Sequence, residues 1–127
     1  MPLSSKEGNI RFGQRIVAKT ASYTVTVDES GTLFTNRGAT AAITFTLPLN
    51  STCPIGTHFE FFGISATGYT VASNPSDTIV TKNDAAADSI TNTTTSLMIG
   101  GANKFVWDGT SWLHYAQSVG PTYTVAT

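Results

Sequence analysis

A chain of 127 residues with a formal net charge of -1 has room for a single core and no second domain, and it carries no field that would draw it to nucleic acid or an anionic membrane. Charged residues make up 12%, against about a quarter in an ordinary soluble domain, so the polar surface must come from neutral side chains, chiefly threonine, whose branched Cβ favours strand over helix. The lone Cys53 excludes an intrachain disulfide, no stretch approaches the roughly 18 apolar residues of a membrane span, and MPLSSKEGNIRFGQRIV lacks the apolar run of a signal peptide, so cytoplasmic synthesis and folding are expected.

Residues 1–15 are poor in apolar side chains and interrupted by Gly8 and Gly13, which predicts an extended N-terminal arm ahead of one β domain over residues 16–127. Lys6, Arg11 and Arg15 against Glu7 give the arm a mild positive bias that could suit an acidic docking surface, although a solvated tail is the plainer reading of the charges. In Tyr23-Thr24-Val25-Thr26-Val27 every second side chain is large and apolar, the period of a half-buried strand. Asp28-Glu29-Ser30-Gly31 turns the chain, Thr32-Leu33-Phe34-Thr35 resumes it, Asn36-Arg37-Gly38 breaks it, and Ile43-Thr44-Phe45-Thr46-Leu47 alternates until Pro48. Residues 48–56, with two prolines and a glycine, should carry the chain from one sheet to another.

In His58-Phe59-Glu60-Phe61-Phe62-Gly63-Ile64 one face holds Phe59 and Phe61, and the other holds His58, Glu60, Phe62 and Ile64. The second face turns apolar halfway along, so either a bulge near Phe62 exchanges the faces or a neighbouring subunit covers Phe62 and Ile64. Two short strands follow at Tyr69–Ser73 and Asp77–Thr81 around the Asn74-Pro75-Ser76 turn, and residues 82–88, with three alanines, are expected to form a loop. Residues 89–95 have high strand propensity, and Leu97-Met98-Ile99 should begin a strand ended by Gly100-Gly101. Phe105 and Trp107 then enter a hairpin that turns at Asp108-Gly109-Thr110-Ser111 and returns through Trp112-Leu113-His114-Tyr115, and Thr122–Val125 can add an edge strand. Tyr-Thr-Val occurs at Tyr23, Tyr69 and Tyr123, but unequal intervals mark shared composition, not a repeat.

The order YTVTV, SGTLFTN, AAITFTLP, an aromatic strand opened by Gly56, Asp77-Thr78-Ile79 and the Trp107-Asp108-Gly109-Thr110-Ser111-Trp112 hairpin resembles β modules of tailed-phage virions. Such modules occur in capsid decoration (cement) proteins, head fibres and tail-fibre segments, and the likeness runs from about Thr20 to Tyr115. It implies a structural virion protein on the outer capsid surface, binding the major capsid protein and its own copies, as a homotrimer, and stabilising the shell. It implies no catalytic motif and no cofactor. The alternative is a fibre or tail module that binds a host glycan or receptor.

Candidate sites follow from both lines. Leu3, Ile10, Arg11 and Phe12 are candidate capsid-binding anchors of the arm, and His58, Glu60, Phe62 and Ile64 a candidate oligomer interface. Trp107, Trp112 and Tyr115 could form a sugar-stacking platform, against the simpler role of core and hairpin pairing. His58 and Glu60 could act as base and partner in a cleft, but no nucleophile motif or second histidine lies near them in sequence, and a hydrogen-bonded surface pair is the plainer expectation. His114 reads as packing among aromatics, Cys53 as a small inert residue, and Asp77, Asp84 and Asp88 match no calcium-loop spacing. Asn50-Ser51-Thr52 and Asn92-Thr93-Thr94 fit the glycosylation pattern, which abundant threonine produces by chance. The expected body is therefore an all-β, antiparallel sandwich or small barrel with an N-terminal arm, neither an enzyme nor a metal binder.

Overall fold

The computed structural model describes residues 13–92, 98–116 and 124–127, so the candidate anchors Leu3, Ile10, Arg11 and Phe12 lie outside the described residues. Its strands are β1 (Ile16–Ala18), β2 (Tyr23–Thr24), β3 (Leu33–Thr35), β4 (Ile43–Thr46), β5 (His58–Phe62), β6 (Tyr69–Ala72), β7 (Ile79–Thr81), β8 (Asp84–Ala87), β9 (Ser89–Asn92), β10 (Ala102–Trp107), β11 (Trp112–Ala116) and β12 (Thr124–Ala126). They form a seven-stranded sheet in the order β1-β3-β5-β10-β11-β7-β8 and a five-stranded sheet in the order β12-β9-β6-β4-β2.

From β1 to β6 the chain changes sheet at every step, so each strand lies beside the one two elements away and parallel to it: β1 on β3, β3 on β5, β2 on β4, β4 on β6. This corrects the antiparallel expectation. Both sheets are mixed, because segments such as Asp28-Glu29-Ser30-Gly31 act as corners between sheets instead of hairpin turns. There the chain makes a 3-10 turn over Val27–Glu29, Gly31 takes φ +89°, and its N–H donates to the carbonyl of His58 at 2.7 Å, seating the corner on the next circuit. The second half of the chain adds the antiparallel partners, β10 on β5 and β9 on β6, and the β10–β11 hairpin.

The core lies where the two sheets meet. Phe34 and Phe61 of the larger sheet face Phe45 of the smaller at ring-centroid distances of 5.7 and 5.0 Å, and Tyr69 joins them. Phe59, Phe105, Trp107 and Trp112 extend the layer toward β7. Residues 48–56 cross from one sheet to the other as expected.

Two local expectations are corrected. Residues 82–88 do not form a loop: Lys82 and Asn83, with Asn83 at φ 58°, make a tight turn that folds Asp84–Ala87 back on β7. The alanines have little strand propensity, so this edge strand is placed by its turn and by Ala87, which is fully buried. Met98, Ile99 and Gly100 belong to a turn, not a strand, with Gly100 at φ +84° and its N–H on the carbonyl of Gly63.

Candidate interaction face

The alternation of β5 holds to its end. Phe59 and Phe61 are fully buried, whereas His58, Glu60 and Phe62 turn to the outer face of the seven-stranded sheet, where Phe62 is 38% exposed. The pairing of β5 with β10 is regular through Phe62, so no bulge exchanges the faces. Parallel register sets Ile16, Leu33 and Glu60 side by side in one row, and Ala18, Thr35 and Phe62 in the next. Together with Ile64 and Arg37 the apolar members of these rows line an open groove of about 400 Å³. Sequence reasoning missed Ile16, Ala18 and Leu33, because period-two alternation shows which way a side chain points but not which strand lies beside it.

Gly63 and Asn36 hold Ile64 at the groove. Gly63 exchanges main-chain hydrogen bonds with the Gly100-Gly101 turn, and the carbonyl of Met98 occupies the space a side chain would need. Asn36, fully buried, accepts the N–H groups of Ile64 and Ser65 on Oδ1 at 2.7 and 2.9 Å, while its amide faces the carbonyls of Ser65 and Gly68. The side chain thus replaces a backbone turn and ties the β3–β4 corner to the β5–β6 corner.

His58 and Glu60 share the face but not a bond. Nδ1 of His58 donates to the carbonyl of Gly56 at 3.0 Å, and the carboxylate of Glu60 accepts from Nε2 of Gln14, whose side chain also bonds the carbonyl of Gly31. Gln14 and Arg15 are therefore fastened to the body. The base-and-partner arrangement considered for His58 and Glu60 is not formed.

The aromatic hairpin divides its residues between opposite faces. Trp107 and Trp112 pair across β10 and β11 with centroids 5.4 Å apart and are 4% and 0% exposed, whereas Tyr115 lies on the outer face at 54%. The three do not form one stacking surface. Beneath the hairpin runs a polar chain, half-buried at Thr81 and His114 and buried from Asn103 inward: Thr81 to His114, His114 to Asn103, and Asn103 to both Tyr69 and Asn92. Burial holds the imidazole of His114 down to about 4 and pushes the Tyr69 phenol up.

A comparison with protein-family models finds no match, and one with curated proteins finds none.

The three aspartates considered for calcium are bonded separately. Asp77, 4% exposed, accepts the N–H of Asn50 at 3.0 Å, and burial raises its carboxyl against the opposing N–H of Asn50, hydroxyl of Ser76 and indole N–H of Trp112. Its Oδ1 and the Trp112 indole N–H are both buried without a hydrogen bond of good geometry. Asp84 bonds the hydroxyl of Thr127 and the N–H of Ala86, and Asp88 is exposed. Among the described residues no three or more histidine, cysteine or acidic side chains are gathered as a metal would require. Burial raises the Cys53 thiol, which disfavours its thiolate form.

Proposed function

We propose that the chain is a structural decoration protein of a tailed-phage capsid, working as a symmetric homo-oligomer in which another copy covers the Phe62 and Ile64 face. The observation that carries this is the outer face of β1, β3 and β5: Ile16, Leu33, Phe62 and Ile64 crowd a surface that an isolated protein would keep polar. The order of strand motifs along the sequence supports the virion assignment, and the low charge of the body suits a protein that must coat a shell without attracting nucleic acid. The two sheets serve as an inert sandwich-like body, and residues 1–12 serve as the attachment arm, with Leu3, Ile10, Arg11 and Phe12 as anchors. No catalytic step is assigned to it. Nothing favours the glycan-binding alternative, because only Tyr115 of the proposed platform reaches solvent.

The test is rebinding. A chain beginning at Gly13, which keeps the Gln14 and Arg15 contacts, should fold and oligomerise like the full chain yet fail to bind capsids stripped of it, and stripped capsids should lose heat resistance. Equal binding by the shortened chain removes the arm from the mechanism; binding to glycans in place of capsids removes the decoration role.

A further inference from the structure

Among the described residues β1 is the terminal strand of the seven-stranded sheet. The carbonyl of Arg15 accepts from Leu33 and the N–H of Lys19 donates to Thr35, both at 2.9 Å. Main-chain groups in a parallel ladder alternate in direction, so Arg15, Val17 and Lys19 turn toward β3, and the N–H and C=O of Ile16 and Ala18 turn outward along the edge. The opposite edge of the same sheet is guarded: β8 carries Asp84 and a register shift between Ile79 and Thr81. Ile16–Ala18 has neither charge, proline nor bulge, Arg15 and Lys19 stand just outside it, and Ile16 is 64% exposed.

We infer that β1 pairs antiparallel with β1 of a second copy about a two-fold axis at Val17, continuing the seven-stranded sheet from one copy into the next. This rests on the self-association proposed above but places the contact at the edge strand β1, two strands away from Phe62 on β5. With the axis at Val17, Ile16 lies opposite the partner's Ala18 and Ala18 opposite the partner's Ile16. Each such pair exchanges both of its hydrogen bonds, using the outward-turned groups of Ile16 and Ala18 and leaving the bonds to β3 intact. Side chains match in the same way. The large, exposed Ile16 stands over the partner's small Ala18, at the mouth of the partner's groove, and Val17 meets the partner's Val17 on the core side, where it already packs. Under the two-fold axis large meets small, which suits a second copy, while the flanking Arg15 and Lys19 come opposite the partner's Lys19 and Arg15, a like-charge cost that limits the affinity. Such an isologous contact closes as a dimer, or as a two-fold multiple of a ring, in place of a simple trimer.

The experiment uses the full chain. Sedimentation velocity should show a dimer that dissociates on dilution, and hydrogen exchange read by NMR should show the amides of Ile16 and Ala18 slow in the dimer and fast in the monomer. Ala18→Pro removes an outward N–H and no bond to β3, a substitution tolerated on an edge strand, and Ile16→Lys adds a charge. Both should give folded monomers with at least a tenfold weaker association. Three results overturn the pairing. A monomeric wild type with slow Ile16 and Ala18 amides means that the chain covers its own edge. A wild type monomeric at all concentrations with fast amides removes self-association altogether. A dimer that survives Ala18→Pro but is dissociated by Phe62→Asp means that sheet faces meet and edges do not, which keeps the proposed function and discards the pairing. Should Ala18→Pro not fold, the wild-type amides decide alone.

Discussion

Nε2 of His114 lies 2.6 Å from Oδ1 of Asn103, and the other ring nitrogen lies 2.7 Å from the hydroxyl of Thr81. An amide oxygen only accepts, so Nε2 carries the proton and Nδ1 receives the threonine hydrogen. Asn103 then has its amide free to donate to Tyr69 and Asn92, which joins β10 to both β6 and β9 of the other sheet. With a neutral imidazole, stacked on Phe105 at 4.8 Å, each bond of this chain has one donor and one acceptor.

Acid should therefore weaken the fold through His114. Its folded value of about 4 lies below the ordinary 6.5, so the stabilisation is present above pH 6.5 and is lost as pH falls toward 4, by at most about 3 kcal/mol. Asp77 acts in the opposite sense, since a raised carboxyl favours the folded state at low pH and loses that contribution as pH rises through its folded value. The decisive comparison is His114→Gln, which keeps a donor toward Asn103 and cannot charge. Urea midpoints between pH 4 and 6.5 should fall steeply in the wild type and much less in the variant; parallel curves would mean that His114 titrates normally.

Asn36→Ala should cost about 2–4 kcal/mol in chemical denaturation, because it strands the buried N–H groups of Ile64 and Ser65 together. Asn36→Asp keeps the acceptor and loses only the long bonds to Ser65 and Gly68, and should recover part of the loss unless its charge is penalised by burial. A cost under about 1 kcal/mol for Asn36→Ala would show that water replaces the side chain.

Gly63→Ala should be more damaging than its single methyl suggests, since the new atom would meet the Met98 carbonyl, which is backbone and held by the Gly100 contact. Overpacking of this kind costs about 1–3 kcal/mol or more, and the turn at Met98 should shift, seen as changed amide resonances of Gly100 and Gly101. Unchanged resonances with unchanged stability would show that the turn yields freely.

Glu29 is 9% exposed and accepts from the Tyr23 hydroxyl and from the N–H and hydroxyl of Thr26. Burial raises its carboxyl, but those donors and the charge of Arg15 outweigh it, leaving the group lowered. Its contribution is present above the ordinary carboxylate range and lost as pH falls through the folded value. Glu29→Gln should remove about 1–2 kcal/mol at pH 7, measured by urea unfolding, and little at pH 3, where a difference as large as that at pH 7 would show the charge to be irrelevant.

The inward faces were legible because alternation alone sets them: Phe59 and Phe61, Phe105 and Trp107, Ile43 and Phe45 all point where period two puts them. Direction was not legible. Gly31 and Gly38 mark reversals equally well whether the chain returns alongside itself or rounds a corner into the other sheet, and only the partner of Gly31, the His58 carbonyl, distinguishes the two. Asn36 read as a strand breaker and is a buried cross-link, a role that depends on a corner reached much later in the sequence. The two tryptophans were ambiguous for a different reason, since aromatic side chains on a hairpin suit a core and a ligand equally, and their burial decides it.

The circuit of β1 to β6 bears on how the chain reaches this state during synthesis. Ile16 must wait for Leu33, Leu33 for Glu60, and Ile43 for Tyr69, so no strand in the first half can pair with its immediate successor. Closing such loops is slow compared with closing the β10–β11 hairpin, whose partners are adjacent. Phe59, which ends beside Phe105, stays without that cover until β10 leaves the ribosome. The emerging polypeptide thus carries an open phenylalanine surface while residues 60–105 are added, a window in which chaperone capture or misassociation with other nascent chains competes with folding.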